Sequence, residues 1–478
     1  MKRLSLYIIL LAGCGTFLSC NKQLSEPPAN ARVEGTAITD QKTAQTALNG
    51  VYYRFANVTS DNITLWREHH IPGGMLSGLL AYGFGKLAEE KNDNVGAGYI
   101  PAVWTESYLL INAANAVIDG VNAVPDKAFT DTRKNEILAE SRFMRAYGHF
   151  TLLIYFAEWF KTDSRFGVLI RDKFSTLSNI PKARSSVAES YSFILEDLDF
   201  AIANAPADHP SYYVTKWAAM ALKMRVLLCH GQQADYIAAA TLGNDIIQNS
   251  TYTLENNLKD LFYVKGLTSK EVILGVKPQP NQEAFYYIQS RAYYPVQSSL
   301  FTATQQLKDL LENDPRGSWM IGPKTPYQAY SPNTYYFLKY IAYGSNTSQL
   351  SETSYAIRLS EVYLLQAEAI IRSAGGNLQT AKTLIKTVMA KGGVTDFTAV
   401  DNANTAADLL LQNYYEVARN LTGEDGIEWR ALMRLPFDEV KLLKPTITST
   451  QQFYFPIPLD EFNTNPLIGD QNPGYGKQ

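Results

Sequence analysis

The chain has 478 residues, 43 basic against 46 acidic side chains, and a formal net charge of −3. That balance excludes nucleic-acid binding driven by phosphate neutralisation, and three cysteines exclude a disulfide framework. By length the chain supports one to three domains around a large core.

The first element is an export signal. Met1-Lys2-Arg3 precedes an apolar run from Leu4 to Leu18, which ends at Ser19-Cys20. A basic start, a short apolar segment and a small residue before a cysteine describe a secretory signal leading to a lipid anchor. The run is broken by Gly13, Gly15 and Thr16 and falls short of the ~20 residues of a membrane-spanning helix. Export excludes cytoplasmic metabolism. Two cysteines compete for the anchor. Leu11-Ala12-Gly13-Cys14 is the better local lipobox, and Phe17-Leu18-Ser19-Cys20 is bulkier. Acyl chains contribute ~0.8 kcal/mol per buried methylene, so several of them hold a protein on a membrane durably.

Asn21 to Gly35 is polar and contains proline, as a tether does. Thr39-Asp40 caps a helix with Ala44, Leu48, Val51, Tyr52 and Phe55 on one face. Glu68 to Ala102 holds seven glycines and reads as a loop region. The next helix carries Trp104, Tyr108, Ile111, Ala114 and Ile118 at helical spacing. The strongest amphipathic stripe follows, with Phe143, Ala146, Tyr147, Phe150, Leu153 and Ile154. Later helices come in pairs. Trp217, Met220, Ala221, Met224 and Leu227 form a stripe that stops at Gly231, and a second helix runs from Ala234 to Gln248. The unit recurs at Leu359 to Ile370, stops at Gly375-Gly376 and resumes from Leu378 to Lys391. Helix, glycine stop, short turn, helix is the logic of a tetratricopeptide unit. The predicted fold is mainly α: tetratricopeptide-like hairpins in one scaffold, with long loop-rich insertions and few short strands. Trp104 and Trp217 read as core. Cys229, in an apolar run, reads as a buried inert thiol.

Tyrosine is the abnormal residue: ten of the thirty fall between Phe285 and Tyr343. That stretch is also rich in Pro, Asn and Ser, which makes poor helix and reads as ordered loops with strand pieces.

Several motifs appear in a fixed order. They are Glu140-x-Arg142-Phe143-x-Arg145-Ala146-Tyr147, Phe166-Gly167-Val168, Tyr213-Val214-Thr215-Lys216, Asn313-Asp314-Pro315-Arg316, Arg358-Leu359-x-Glu361-x-Tyr363-Leu364-x2-Ala367-Glu368-Ala369, and a tail of Pro456-Ile457-Pro458-x2-Glu461 with Asn465-Pro466 and Gln471-Asn472-Pro473-Gly474-Tyr475. The series resembles the SusD/RagB family of nutrient-uptake outer-membrane lipoproteins, end to end. The resemblance implies a tetratricopeptide-like scaffold and no catalysis, and the sequence shows no Walker loop or dinucleotide fingerprint that would call for a cofactor. It implies a ligand, usually a glycan and in some members a peptide. It also implies a partner, a TonB-dependent (SusC-like) transporter barrel in the outer membrane, over whose outer mouth the lipoprotein acts as a lid facing the cell exterior. The family pattern places the tether before a segment like Leu24-x2-Pro27 and so favours Cys20 over Cys14 as the acylated residue. The expected organisation is a signal over 1–19, an acylated N-terminus and tether over 20–35, an N-terminal helical part over 36–255 and a C-terminal part over 256–478. The Tyr-rich insertion spans 278–345, all within one integrated body. The chain departs from the family pattern near its C-terminus. Gln412-Asn413 stand for Glu-Arg, Glu428 stands for Arg and Ala431 for Asp, as if charge pairs were replaced together.

Aromatic rings suit sugars because the C–H face of a pyranose packs on them while Asn, Asp or Arg take the hydroxyls; ring packing is worth ~0.5–1.5 kcal/mol beyond burial, judged by aromatic pairs. Two loop regions supply candidates. One holds Trp66, Tyr82, Phe84, Asn92, Asp93, Asn94 and Tyr99. The other holds Tyr286, Tyr287, Tyr293, Tyr294, Trp319, Tyr327 and Tyr330. Most single tyrosines of this kind pack loops onto a scaffold; the set as a whole reads as containing ligand rings. Glu68-His69-His70 lacks a third ligand at useful spacing, and Asn92-Asp93-Asn94 lacks the spacing of a calcium loop. A glycan-degrading enzyme with two carboxylates, and an adaptor that binds only protein, are the competing readings.

Overall fold

A computed structural model of the chain describes residues 37–56, 65–277, 293, 301–340 and 354–477, with residues 65–70 described by backbone alone. The signal, the tether, and Tyr286, Tyr287 and Tyr294 lie outside the described residues.

The first described helix, α1 (Gln41–Ala56), starts where Asp40 Oδ1 accepts from Thr43 N at 2.8 Å and buries the predicted face of Ala44, Leu48, Val51, Tyr52 and Phe55. The longer elements that follow are α2 (Leu65–Ser77), β1 (Leu80–Tyr82), α3 (Ala88–Lys91), α4 (Ile100–Ala123), α5 (Arg133–Phe156), α6 (Val187–Asn204), α7 (Lys216–His230) and α8 (Gln233–Asn249). Then come β2 (Val272–Val276), β3 (Phe301–Ala303), α9 (Gln305–Leu310), α10 (Gly317–Met320), β4 (Ile321–Lys324), β5 (Tyr335–Phe337) and β6 (Ser354–Arg358). The last are α11 (Leu359–Arg372), α12 (Leu378–Lys391), α13 (Ala406–Leu421), α14 (Ile427–Met433), α15 (Phe437–Leu443) and α16 (Leu459–Thr464).

Neighbouring helices stack in a series. From α4 to α8 each packs on the next, α8 packs on α11, and α11 packs on α12 and α13. The two hairpins that repeat in sequence are therefore neighbours in space, joined through α8 and α11. Local chemistry sets their ends. Thr215 caps α7 by accepting from Ala218 N, and Gly231, at φ 77°, closes it with a bond from its N–H to Leu227 O. Asn377 caps α12 by accepting from Gln379 and Thr380 N–H groups. The helices come within contact where side chains vanish. A Cβ on Gly243 of α8 would lie 2.8 Å from both Gln366 Cβ of α11 and Met224 Cε of α7.

The motif residues turn out to be buried ion-pair nodes between elements. Arg145 on α5 holds Asp197 of α6 through Nε (2.7 Å) and NH2 (2.8 Å). Arg225 on α7 meets Glu361 of α11 and Asp425, each at 2.6 Å. Arg316 of the Asp-Pro-Arg motif bonds both Asp314 and, through NH1 at 2.5 Å and NH2 at 2.8 Å, Glu416 of α13. Arg358 bonds Glu271, Glu424 and Asn420. All of these charges except half-buried Asp314 are buried, so stranding one by removing its partner would cost ~3–5 kcal/mol.

Two expectations are corrected. The first ten residues of the Glu68–Ala102 stretch are not loop but part of α2, in spite of Pro72, Gly73 and Gly74. Their reason is contact: a Cβ on Gly73 would sit 2.4 Å from Gly426 Cα, at the N-terminus of α14, and one on Gly74 would enter the Leu80 side chain. Nor do the C-terminal replacements avoid a stranded buried group. Glu428 is fully buried, and its Oε2 has no hydrogen-bond partner among the described residues.

The strands form two small antiparallel sheets, a β2–β6 pair and a four-stranded sheet in the order β1-β3-β5-β4. The second sheet positions the candidate site.

Candidate aromatic binding ledge

Strand β1 belongs to the N-terminal half, and β3, β5 and β4 to the Tyr-rich insertion. Pairing sets Tyr82 opposite Phe301 and Leu80 opposite Ala303, then Ala303 opposite Tyr335, and Tyr335 opposite Lys324. Two loop regions more than two hundred residues apart in sequence are thereby brought to one edge.

At that edge Phe84, 38% exposed, packs on Tyr327 with ring centroids 4.4 Å apart and on Tyr82 at 5.8 Å. Tyr82 continues onto Phe301 at 5.9 Å, and Phe301 meets Tyr99 edge-on at 5.7 Å. Tyr330, 66% exposed, stands in the same turn as Tyr327, its N–H bonded to Tyr327 O. The result is a ledge of rings rising from a buried base (Phe301) to exposed Phe84 and half-buried Tyr327, with exposed Tyr330 in the adjoining turn.

The loops that carry the rings are tied. Ser331 Oγ lies 2.7 Å from Tyr82 O and 2.8 Å from Gly85 O, its donor shared between them, and accepts from Gly85 N at 3.2 Å. From below, Glu90 Oε1 accepts from Tyr82 N (3.0 Å) and Leu87 N (3.2 Å), so one carboxylate spans the whole bend that presents Phe84. Its neighbour Glu89 accepts from Gly98 N (2.8 Å) and Tyr99 N (2.7 Å). The Tyr327 turn is closed by Thr325 N to Thr334 O at 3.0 Å and by Gln328 Nε2 to Thr334 O at 2.9 Å. A platform held this way loses little freedom when a ligand lands on it. No motif singles out Glu89, Glu90 or Ser331 in the sequence; the nearest signal is an acidic pair inside a glycine-rich stretch.

The remaining candidates go elsewhere. Asn92 is buried at the end of α3, at φ 52°; its Nδ2 donates to Leu76 O (3.1 Å) and its Oδ1 accepts from Thr446 Oγ1 (2.6 Å). Asn94 is also buried and donates to Tyr454 O (2.7 Å) and the Tyr475 hydroxyl (3.0 Å), which fastens this bend to the C-terminal tail. Asp93 is exposed between them. Tyr293 is buried against Phe337 and Tyr340. Trp319 is half-buried on Phe262 and Tyr263, at the opposite end of β4 from Tyr327. Trp66 lies on α2, its side chain outside the described residues.

Beside the ledge runs a polar groove of 420 Å³, lined by Lys86, Lys91, Gln306, Asn333, Lys444 and Thr446 among others. Burial pushes the Lys444 ammonium down to about 8, against the opposing charge of Glu90 and with a smaller contribution from Lys86, while burial raises the Glu90 carboxyl. A second depression of 430 Å³ lies between α4, the 169–180 strap and α16; Trp104, read as core, is buried and also forms part of its wall with Tyr108. Among the described residues no cluster of three His, Cys, Asp or Glu could hold a metal ion, and no helix is long and apolar enough to cross a membrane.

Comparison with known proteins gives consistent matches. A family model described as "Starch-binding associating with outer membrane" matches residues 73–228, and one described as "SusD family" matches residues 285–475. A SusD-like protein of Bacteroides ovatus is 24% identical over 38% of this chain and 33% of its own length, so the chain aligns with only a third of that relative. SusD-like protein P2 of Formosa agariphila is 22% identical over 98% of this chain and 99% of its own. Among solved structures, a SusD superfamily protein from Bacteroides thetaiotaomicron superposes with a TM-score of 0.76 at 20% identity, covering 91% of this chain and 100% of that one. A laminarin-binding SusD-like protein superposes with a TM-score of 0.67 at 20% identity, covering 91% and 100%.

Proposed function

Because the chain belongs to the SusD/RagB family, we propose that it is a non-catalytic, glycan-binding lipoprotein of the outer-membrane surface. It is acylated at Cys20 and captures oligosaccharide on the ledge of Phe84, Tyr327 and Tyr330. It passes the sugar to a SusC-like TonB-dependent transporter, over whose mouth it sits as a lid. The observation that supports this most is the convergence of exposed Phe84 and half-buried Tyr327 from two distant loops on tied backbones. A few rings on an open ledge hold cargo weakly enough to release it onward. The laminarin-binding neighbour shares the fold and supports a β-glucan as a first ligand to try.

The test is a glycan array on the chain lacking residues 1–20, beside the Phe84→Ala/Tyr327→Ala double variant. Binding to at least one glycan class, lost in the double variant at unchanged melting temperature, is the expected result. Release of reducing ends from any bound glycan would replace the binding reading with a hydrolytic one. Acyl mass on a peptide beginning at Cys14 would move the anchor without altering the rest.

A further inference from the structure

The groove beside the ledge holds lysines that form no ion pair with a described residue. In the core, buried cations such as Arg225, Arg316 and Lys339 meet carboxylates. Lys444 is 8% exposed, yet it forms no ion pair with any described residue; its Nζ donates to the main-chain oxygen of Glu90 at 2.7 Å. Lys86 and Lys91 line the same groove, and neither forms an ion pair with a described residue. The nearest acid, Glu90, has an Oε1 committed to the Tyr82 and Leu87 N–H groups; burial raises its carboxyl, and the charges of Lys444 and Lys86 act against that rise. Space is kept for the lysine. Gly78 sits at φ +85°, and a Cβ there would lie 3.2 Å from Lys444 Cδ and 3.4 Å from its Nζ. Lys86 acts on Lys444 as a like charge and Glu90 as an opposite one, and an anion between the lysines would offset the like-charge contribution.

The groove is continuous with the ledge. Lys86 is two residues from Phe84 in the loop held by Ser331, and Ser331 and Asn333 lie in both the ring-bearing turn and the groove wall. We propose that the groove selects glycans bearing an anionic substituent, a uronic-acid carboxylate or a sulfate ester, which sits among Lys86, Lys91 and Lys444 while a neighbouring sugar ring lies on Phe84 and Tyr327. This inference rests on the glycan-binding reading and names the substrate class of that site.

Titration calorimetry on the chain lacking residues 1–20 tests it with three probes of equal length: an oligogalacturonate, a sulfated galactan oligosaccharide and a neutral β-1,3-glucan oligosaccharide. At least one acidic probe should bind roughly tenfold or more tightly than the neutral one at low salt, the scale of a charge-assisted contact. High salt should shrink that advantage. Lys86→Gln/Lys91→Gln and, separately, Lys444→Met should remove it while leaving neutral-glucan binding as it was. Whichever acidic probe binds identifies the substituent. Equal binding of all three probes, or an acidic preference indifferent to both sets of lysine variants, overturns the inference and leaves the glycan reading standing. Failure of every glycan on the array overturns both.

Discussion

At position 428, helix α14 buries a carboxyl group whose Oε1 accepts from Gly423 N at 3.2 Å and whose Oε2 meets no partner among the described residues. Burial pushes this carboxyl up to about 8. It is thus neutral in the folded chain at pH 7 and ionised in the unfolded one. The folded state holds a proton that the unfolded state has released, so stability falls as pH rises from the ordinary carboxylate range to about 8 and is flat above it, as far as this group is concerned. The slope from one such group is at most about 1.4 kcal/mol per pH unit. Glu428→Gln keeps the acceptor for Gly423 and removes the titration. Melting curves from pH 5 to 9 should therefore show the variant gaining on the parent up to about pH 8 and then holding a constant lead. Parallel curves across the whole range would mean that Glu428 is charged and paired. Phe84 makes the opposite case. It is 38% exposed and packs on other ledge rings, Tyr82 and Tyr327. Phe84→Ala should cost about 1 kcal/mol of glycan affinity with a melting temperature close to that of the parent.

Glycine shows most clearly what the helices disclose to a sequence reader and what they hide. Gly231 ends α7 where the apolar stripe stops, because a left-handed C-terminal residue is a local requirement. Thr215 and Asn377 likewise mark helix starts with side chains that serve their own backbone. The stop at Gly231 and the restart at Leu378 are legible in the sequence; Thr215 and Asn377 are not singled out there as caps. Gly73 and Gly74 look the same on paper and mean something else: they lie inside α2 to admit Gly426 and Leu80, which are distant or unpredictable neighbours. The same contrast predicts opposite outcomes for two helical glycines. Gly50, on α1, has nothing within 4 Å of an added Cβ, so Gly50→Ala should stabilise the chain by up to about 1 kcal/mol through helix propensity. Gly243, on α8, would put its Cβ against Gln366 Cβ, which cannot swing aside, so Gly243→Ala should lose about 1–3 kcal/mol to overpacking in spite of the same propensity gain. Chemical denaturation of both variants reads the signs directly; a stabilised Gly243→Ala would mean that α8 and α11 are farther apart than described.

On the scale of the whole molecule, the decisive event is the pairing of β1 with β3, which carries the Tyr82–Leu87 bend onto the Tyr-rich insertion. Apolar periodicity and glycine stops made the α-helical scaffold readable in advance, since each depends on residues within a few positions. Which rings would meet was not readable, because three-residue strands leave no pattern and their register is set by partners more than two hundred positions away. That is why Tyr293 and Trp319, as aromatic as Tyr327, end against Phe337 and Phe262 instead of on the ledge. It also means that the ledge depends on long-range ties more than on its own segments. Ser331 joins the Tyr327 turn to Tyr82 and Gly85 without contributing a ring. Losing its hydroxyl removes contacts worth about 0.5–1.5 kcal/mol each, and the bend beneath Phe84 gains freedom that a ligand must then take away. Ser331→Ala should therefore weaken glycan binding about three- to tenfold, with every ring in place and the helical circular dichroism unaltered. Hydrogen exchange should quicken at residues 82–87 in the free variant and slow again on saturation with glycan. If affinity is unchanged while exchange quickens, the rings bind independently of how their loops are held, and preorganisation of the ledge is not what makes it a site.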